Sequence, residues 1–86
     1  MTYTATIHIM PRAEILDPQG KATQLGLHNL GLDQIHDVRI GKRIELSVEA
    51  ATEAEAHEKL ELASRKLLAN IITETFEIEL HAPTEA

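Results

Sequence analysis

Apolar and polar residues alternate from Thr2 to Met10, with Tyr3, Ala5, Ile7 and Ile9 on one side and Thr4, Thr6 and His8 on the other. A period of two predicts a half-buried strand. Pro11 ends it, and residues to Leu16 make a short connection. Asp17-Pro18 then reads as a helix start: an aspartate oxygen accepts an orphan backbone N–H, and proline lacks the donor that would go unpaired there. Ala22, Leu25, Gly26 and Asn29 share one helix stripe with Leu30 beside it, and Gly31 suits the left-handed residue that closes a helix. Gly20 and Gly26 each cost about 1 kcal/mol against alanine inside a helix. Either another backbone approaches closely or packing tolerates a weak helix.

From His36 to Ala50 the period is two again: Val38 and Ile40, then Ile44, Leu46 and Val48, opposite Asp37, Arg39, Glu45, Ser47 and Glu49. Gly41-Lys42-Arg43 interrupts it. A three-residue loop there sets Ile40 against Ile44 and Val38 against Leu46, with every apolar residue on one side, so a hairpin is expected. A single long bent strand is the alternative. Thr52-Glu53-Ala54-Glu55 is a capping box. The helix it opens carries Ala56, Leu60, Ala63 and Leu67 at helical spacing, flanked by Leu62 and Leu68, with Asn70 as its C′ residue. A last strand from about Thr73 to His81 turns Phe76, Ile78 and Leu80 inward. The order β-α-β-β-α-β predicts an α+β two-layer sandwich, a mostly antiparallel four-stranded sheet with two helices on one face. A single domain is expected over 1–82, with residues 83–86 fraying after the last strand.

Size narrows the possibilities. Scaling for a chain of 9.5 kDa gives a folded surface near ~5,000 Å², about 63% less than the extended chain exposes. That supports a fold with little margin, and small chains without staples gain stability by self-association. The 86 residues include no cysteine, which excludes zinc ribbons, thiol chemistry and disulfide scaffolds. A formal charge of −6 argues against nucleic acid and anionic membrane surfaces. Met1 to Thr6 has neither a basic stretch nor an apolar run, so neither a signal peptide nor a membrane span is expected, and the protein reads as cytoplasmic.

The candidate chemistry is sparse. His8, His28, His36, His57 and His81 include no pair at helical metal spacing, so no metal site is expected. Ser47 and Ser64 lie on a strand and mid-helix, not on the sharp turn a nucleophile needs. Asp17-Pro18-Gln19-Gly20-Lys21 has too few glycines for a phosphate cradle. Arg39, Lys42 and Arg43 form the one concentrated basic patch, without the exposed aromatics of a nucleic-acid surface; a solvated face and a protein–protein contact fit it equally. The residues alone describe a small acidic α+β domain that works by association.

Three words add to this: Leu16-Asp17-Pro18-Gln19-Gly20-Lys21-Ala22, Asp37-Val38-Arg39-Ile40-Gly41-Lys42, and Leu67-Leu68-Ala69-Asn70 followed by Glu74 to Glu79. In this order and spacing they resemble the PurS family, the small subunit of phosphoribosylformylglycinamidine synthase, over Leu16 to Leu80. Ile71 stands where the family often has proline, and Leu32 where it tends to have an aromatic residue.

The resemblance implies a non-catalytic subunit in de novo purine biosynthesis. It would self-associate through its sheet, as a homodimer or dimer of dimers, and bridge a glutaminase subunit and a synthetase subunit across which ammonia passes. ATP, Mg and glutamine would be used by those partners, with no cofactor bound here. Asp17, Pro18, Gly20, Arg39, Gly41 and Lys42 are the interface candidates. Capping and turning already account for Asp17, Pro18 and Gly41, whereas no structural need is evident for Arg39 or Lys42. A dimeric module binding small regulatory ligands is the alternative reading. A small hydrolase on this fold ranks last, because Arg39 and Asn70 lie on separate elements with no phosphate loop.

Overall fold

The computed structural model describes residues 1–83; positions 84–86 of the tail expected to fray lie outside the described residues. Strand β1 (Thr2–Pro11) is central in a three-stranded sheet, with β2 (Lys42–Glu49) and β3 (Glu74–Leu80) antiparallel on its two sides. Register aligns Ile44, Ile7 and Ile78 in one row and Leu46, Ala5 and Leu80 in the next, so the predicted inward residues share one face. The opposite face carries the polar rows, Arg43–His8–Glu77 and Glu45–Thr6–Glu79.

Helix α2 (Glu53–Ala63) covers the apolar face. Thr52 accepts a hydrogen bond from the Glu55 N–H at 3.1 Å, and the Glu55 carboxylate reaches back to the Ala51 N–H at 3.2 Å, so the capping box forms with its return bond one residue early. Leu60 enters the core against Ala5, Ile7, Ile9 and Ala69, while Ala56 joins Tyr3 and Ala50 in a second cluster. Beyond Ala63 the helix widens into a single π turn, Ser64–Leu68, closed by the Ala69 N–H on the Ser64 carbonyl at 2.9 Å. Ser64 is fully buried, and its hydroxyl donates to the Leu60 carbonyl at 2.8 Å.

The wider turn advances the phase of the chain. Ala69 becomes core and Leu68 packs beside it, whereas Leu67, expected inward by 3.6-residue spacing, is 82% exposed. Asn70 follows the Ala69 cap at the expected C′ position, without a left-handed φ. It sits in the following turn, its side-chain oxygen accepting from the Ile72 N–H at 3.1 Å.

Two expectations are overturned. The sheet has three strands, not four, because no hairpin forms at Gly41-Lys42-Arg43 and β2 begins at Lys42. Residues 36–41 run without a strand ladder: Asp37 takes a left-handed φ of 56°, and the backbone donors of Val38 and Ile40 turn to the side chains of Gln24 and Asp17. Nor do two helices share one face of the sheet. Helix α1 (Pro18–Asn29) begins with Asp17 and Pro18 as expected and ends in a Schellman motif, Leu32 N–H to Leu27 and Gly31 N–H to His28, with Gly31 at φ 86°. Yet Gly20 is its one buried residue, and neither core cluster includes any α1 residue. With the segment that returns alongside it, α1 forms an arm beyond the sheet. The radius of gyration, 16.7 Å, exceeds the roughly 12 Å of a compact chain this long.

Candidate functional site

The six interface candidates gather where this arm joins the sheet. Asp17 is 9% exposed, and both its oxygens are engaged. Oδ1 accepts from the Gly20 N–H at 2.9 Å, capping α1, and Oδ2 accepts from the Ile40 N–H at 2.9 Å. One carboxylate thus ties the helix start to the segment that returns from its far end. The hydrogen bonds from Ile40 and Gly20 hold its carboxyl below the usual range, burial opposes them, and the Arg39 charge adds to the lowering.

Pro18 occupies the first helical position. Gly20 is where another backbone approaches closely, and that backbone is the chain's own: a Cβ there would strike the Val38 carbonyl oxygen and lie 2.7 Å from the Asp17 carboxylate. Gly41 is similarly confined, facing the Ile9 carbonyl and the Met10 sulfur instead of turning a hairpin.

Arg39 has a structural task that its sequence position does not reveal. Its guanidinium donates to the Arg12 carbonyl at 2.6 Å and the Ile15 carbonyl at 3.1 Å, bracing the β1–α1 connection. Arg12, which nothing in the sequence singled out, continues the chain of contacts to the Ile71 carbonyl at 2.6 Å and the Ile72 carbonyl at 3.2 Å. The connection, the return segment and the loop before β3 are therefore held by two arginines reading backbone carbonyls. Lys42 stands apart at the start of β2, exposed, with its ammonium 3.8 Å from Glu74. Of the two cations expected to face a partner, Lys42 is the more exposed, held only by this long ion pair.

A cleft of about 550 Å³ opens beside this junction, lined in part by Leu16, Lys21, Gln24, Asp37 and Val38. The histidines are dispersed. His8 contacts Glu79 at 3.1 Å on the polar sheet face, holding that carboxyl below its usual range; His81 meets Thr6 at 3.1 Å; and His28 meets the Ile35 carbonyl at 2.8 Å. Among the described residues no group of three His, Cys, Asp or Glu side chains could hold a metal ion, and no helix is long and apolar enough to cross a membrane. What the junction can do chemically is fix geometry: it orients an arm relative to a sheet.

Comparison with known proteins agrees with this layout. The family model described as PurS, phosphoribosylformylglycinamidine (FGAM) synthase, matches residues 4–82. The phosphoribosylformylglycinamidine synthase subunit PurS of Synechocystis sp. is 43% identical over 81 residues, 94% of this chain and 81% of its own. The PurS structure of Bacillus subtilis superposes with a TM-score of 0.84 at 32% identity, covering 93% of this chain and 99% of that one. A chain in the structure of PurLQS from Thermotoga maritima gives a TM-score of 0.86 at 27% identity, covering 94% and 99%. A three-stranded α+β chain with this arm, these words and these relatives belongs to the PurS family of phosphoribosylformylglycinamidine synthase subunits.

Proposed function

We propose that this chain is a non-catalytic assembly subunit of a phosphoribosylformylglycinamidine synthase, joining a glutaminase subunit to a synthetase subunit so that ammonia released by the first reaches the second. Membership of the PurS family is the observation that carries the reading, and the relative found within a PurLQS structure supports it. The described side chains fit a part whose work is positional. Asp17, Arg39 and Arg12 are committed to backbone partners, leaving the exposed Lys42 and the surface around it for docking. In this role the chain binds no cofactor, acts in the cytoplasm, and associates with further copies of itself.

The test is reconstitution. Mixed with the glutaminase and synthetase subunits of its own genome, the chain is expected to switch on glutamine-dependent synthesis while leaving ammonia-dependent synthesis by the synthetase unchanged. Glutamine-dependent synthesis that proceeds equally without the chain overturns the bridging role.

A further inference from the structure

In a chain with a formal charge of −6, one end of the sheet is basic. Arg12 just past β1, Lys42 at the start of β2, and Arg65 and Lys66 in the π turn bring half of the eight Lys and Arg residues there. Two carboxylates answer them: Glu74 stands 3.8 Å from Lys42, and Glu61 takes Arg65 at 3.2 Å. Lys66 is exposed and has no ion-pair partner among the described residues. Arg12 spends its guanidinium on the Ile71 and Ile72 carbonyls, which leave its charge in place. Glu14 lies two residues further along the connection to α1, and Arg43 with Glu45, His8 with Glu79, and Glu77 lie on the polar face of the sheet.

Apolar side chains stand among these cations. Leu67 is 82% exposed, Ile72 80% and Ile71 46%, and neither core cluster uses any of them. Local backbone holds them out: the π turn swings Leu67 away from the core, and the turn at Asn70, clasped by Arg12, carries Ile71 and Ile72. A regular helix would have turned Leu67 inward. Apolar residues at the centre with charges at the rim have the anatomy of a protein interface. The brace from Arg12 matters too, because a turn already fixed loses little freedom on binding.

We propose that this end of the sheet docks an acidic amphipathic segment of a different protein, which sets apolar side chains against Leu67, Ile71 and Ile72 and carboxylates toward Lys42 and Lys66. Charge complementarity selects the partner, since matched potentials steer the encounter and like charges are excluded. A second copy of this chain does not fit. Its acidic surface is the first turns of α2, Glu53, Glu55 and Glu58, between which stand only Ala54, Ala56 and His57, with no large apolar side chain to enter the patch. The inference rests on the bridging role proposed above. It adds which surface takes one of the two larger subunits and what that subunit must present.

The probes are the glutaminase and synthetase subunits of the same genome, each titrated separately into the chain by calorimetry. One of them should bind, with an affinity that falls as salt rises. Leu67→Asp should weaken that binding by about 10- to 100-fold, because it puts a carboxylate at the apolar centre, facing carboxylates. Lys66→Glu should weaken it less and flatten the salt dependence. Both side chains are exposed, so circular dichroism and sedimentation velocity should match the parent chain; Ile72→Asp gives the same reading if Leu67→Asp folds poorly. Parental binding of both subunits by a folded aspartate variant overturns the surface, as does tighter binding by Lys66→Glu or a parent chain that binds neither subunit. A changed particle mass in the variants alone assigns the patch to contacts between copies and overturns it as well. Glutamine-dependent synthesis by the parent chain reads the bridging role itself, so the two ideas fail separately.

Discussion

Gly20 offers the sharpest test of the junction. Helix propensity alone predicts that Gly20→Ala stabilises the chain by about 1 kcal/mol. The structure predicts the opposite sign. The added methyl meets the Val38 carbonyl oxygen and stands 2.7 Å from the Asp17 carboxylate, closer than Cβ atoms settle against any neighbour. Neither can withdraw freely, since the Val38 N–H donates to Gln24, the next two residues, Arg39 and Ile40, are bonded to the Ile15 carbonyl and to Asp17, and the carboxylate holds two N–H groups. Overpacking of this kind costs about 1–3 kcal/mol, and loosening of the shared carboxylate adds to it. After the propensity gain the net cost is up to about 2 kcal/mol, or a fall in Tm of up to roughly 8–16 °C for a domain this small. Urea unfolding followed by circular dichroism at one fixed protein concentration measures it. A Gly20→Ala variant as stable as the parent chain, or more so, would refute the claim that α1 is clamped to its return segment.

Other consequences follow from the same contacts. Leu60→Ala empties the centre of the core and should cost about 3–4 kcal/mol in the same unfolding assay, enough to leave a chain this small marginal. Arg39→Lys cannot reproduce the forked contact with the Arg12 and Ile15 carbonyls; it should destabilise by about 1–2 kcal/mol and speed amide exchange in residues 12–41. Lys42→Glu should leave stability within about 0.5 kcal/mol and alter only binding to partner subunits, measured by titration calorimetry, since an exposed pair at 3.8 Å contributes little. Asp17, Glu55 and Glu79 all have lowered carboxyl pKa values in the fold. Their stabilisation is therefore fully present above the unfolded range of about 4, and it is lost as pH falls through the depressed folded values. The stability curve should drop below about pH 4, and Asp17→Asn should flatten that drop; an unchanged acid limb would contradict the shared-carboxylate geometry.

Features set by neighbours a few residues away are legible from the order of residues alone. The faces of β1, β2 and β3 follow from a period of two, and the register keeps each inward set together. The starts of both helices follow from Asp17-Pro18 and from Thr52 with Glu55, because a cap is satisfied within three residues. The three words that carry the family resemblance are likewise visible in one dimension.

What those elements do with one another depends on contacts between residues far apart in the chain. The hairpin at Gly41 fails because the donors of Val38 and Ile40 find side chains in mid-α1 and at its N-cap, 14 and 23 residues back, a competition that no local periodicity reports. Arg39 and Arg12 act on carbonyls 27 and 60 residues away, which made one look free and the other unremarkable. The apolar stripe of α1 was expected to lie on the sheet, yet neither core cluster includes an α1 residue, because amphipathicity marks an apolar surface without saying where the chain will carry it. Likewise, a single widened turn after Ala63 moved Leu67 from the core to the surface, since hydrophobic spacing is read on the assumption of 3.6 residues per turn.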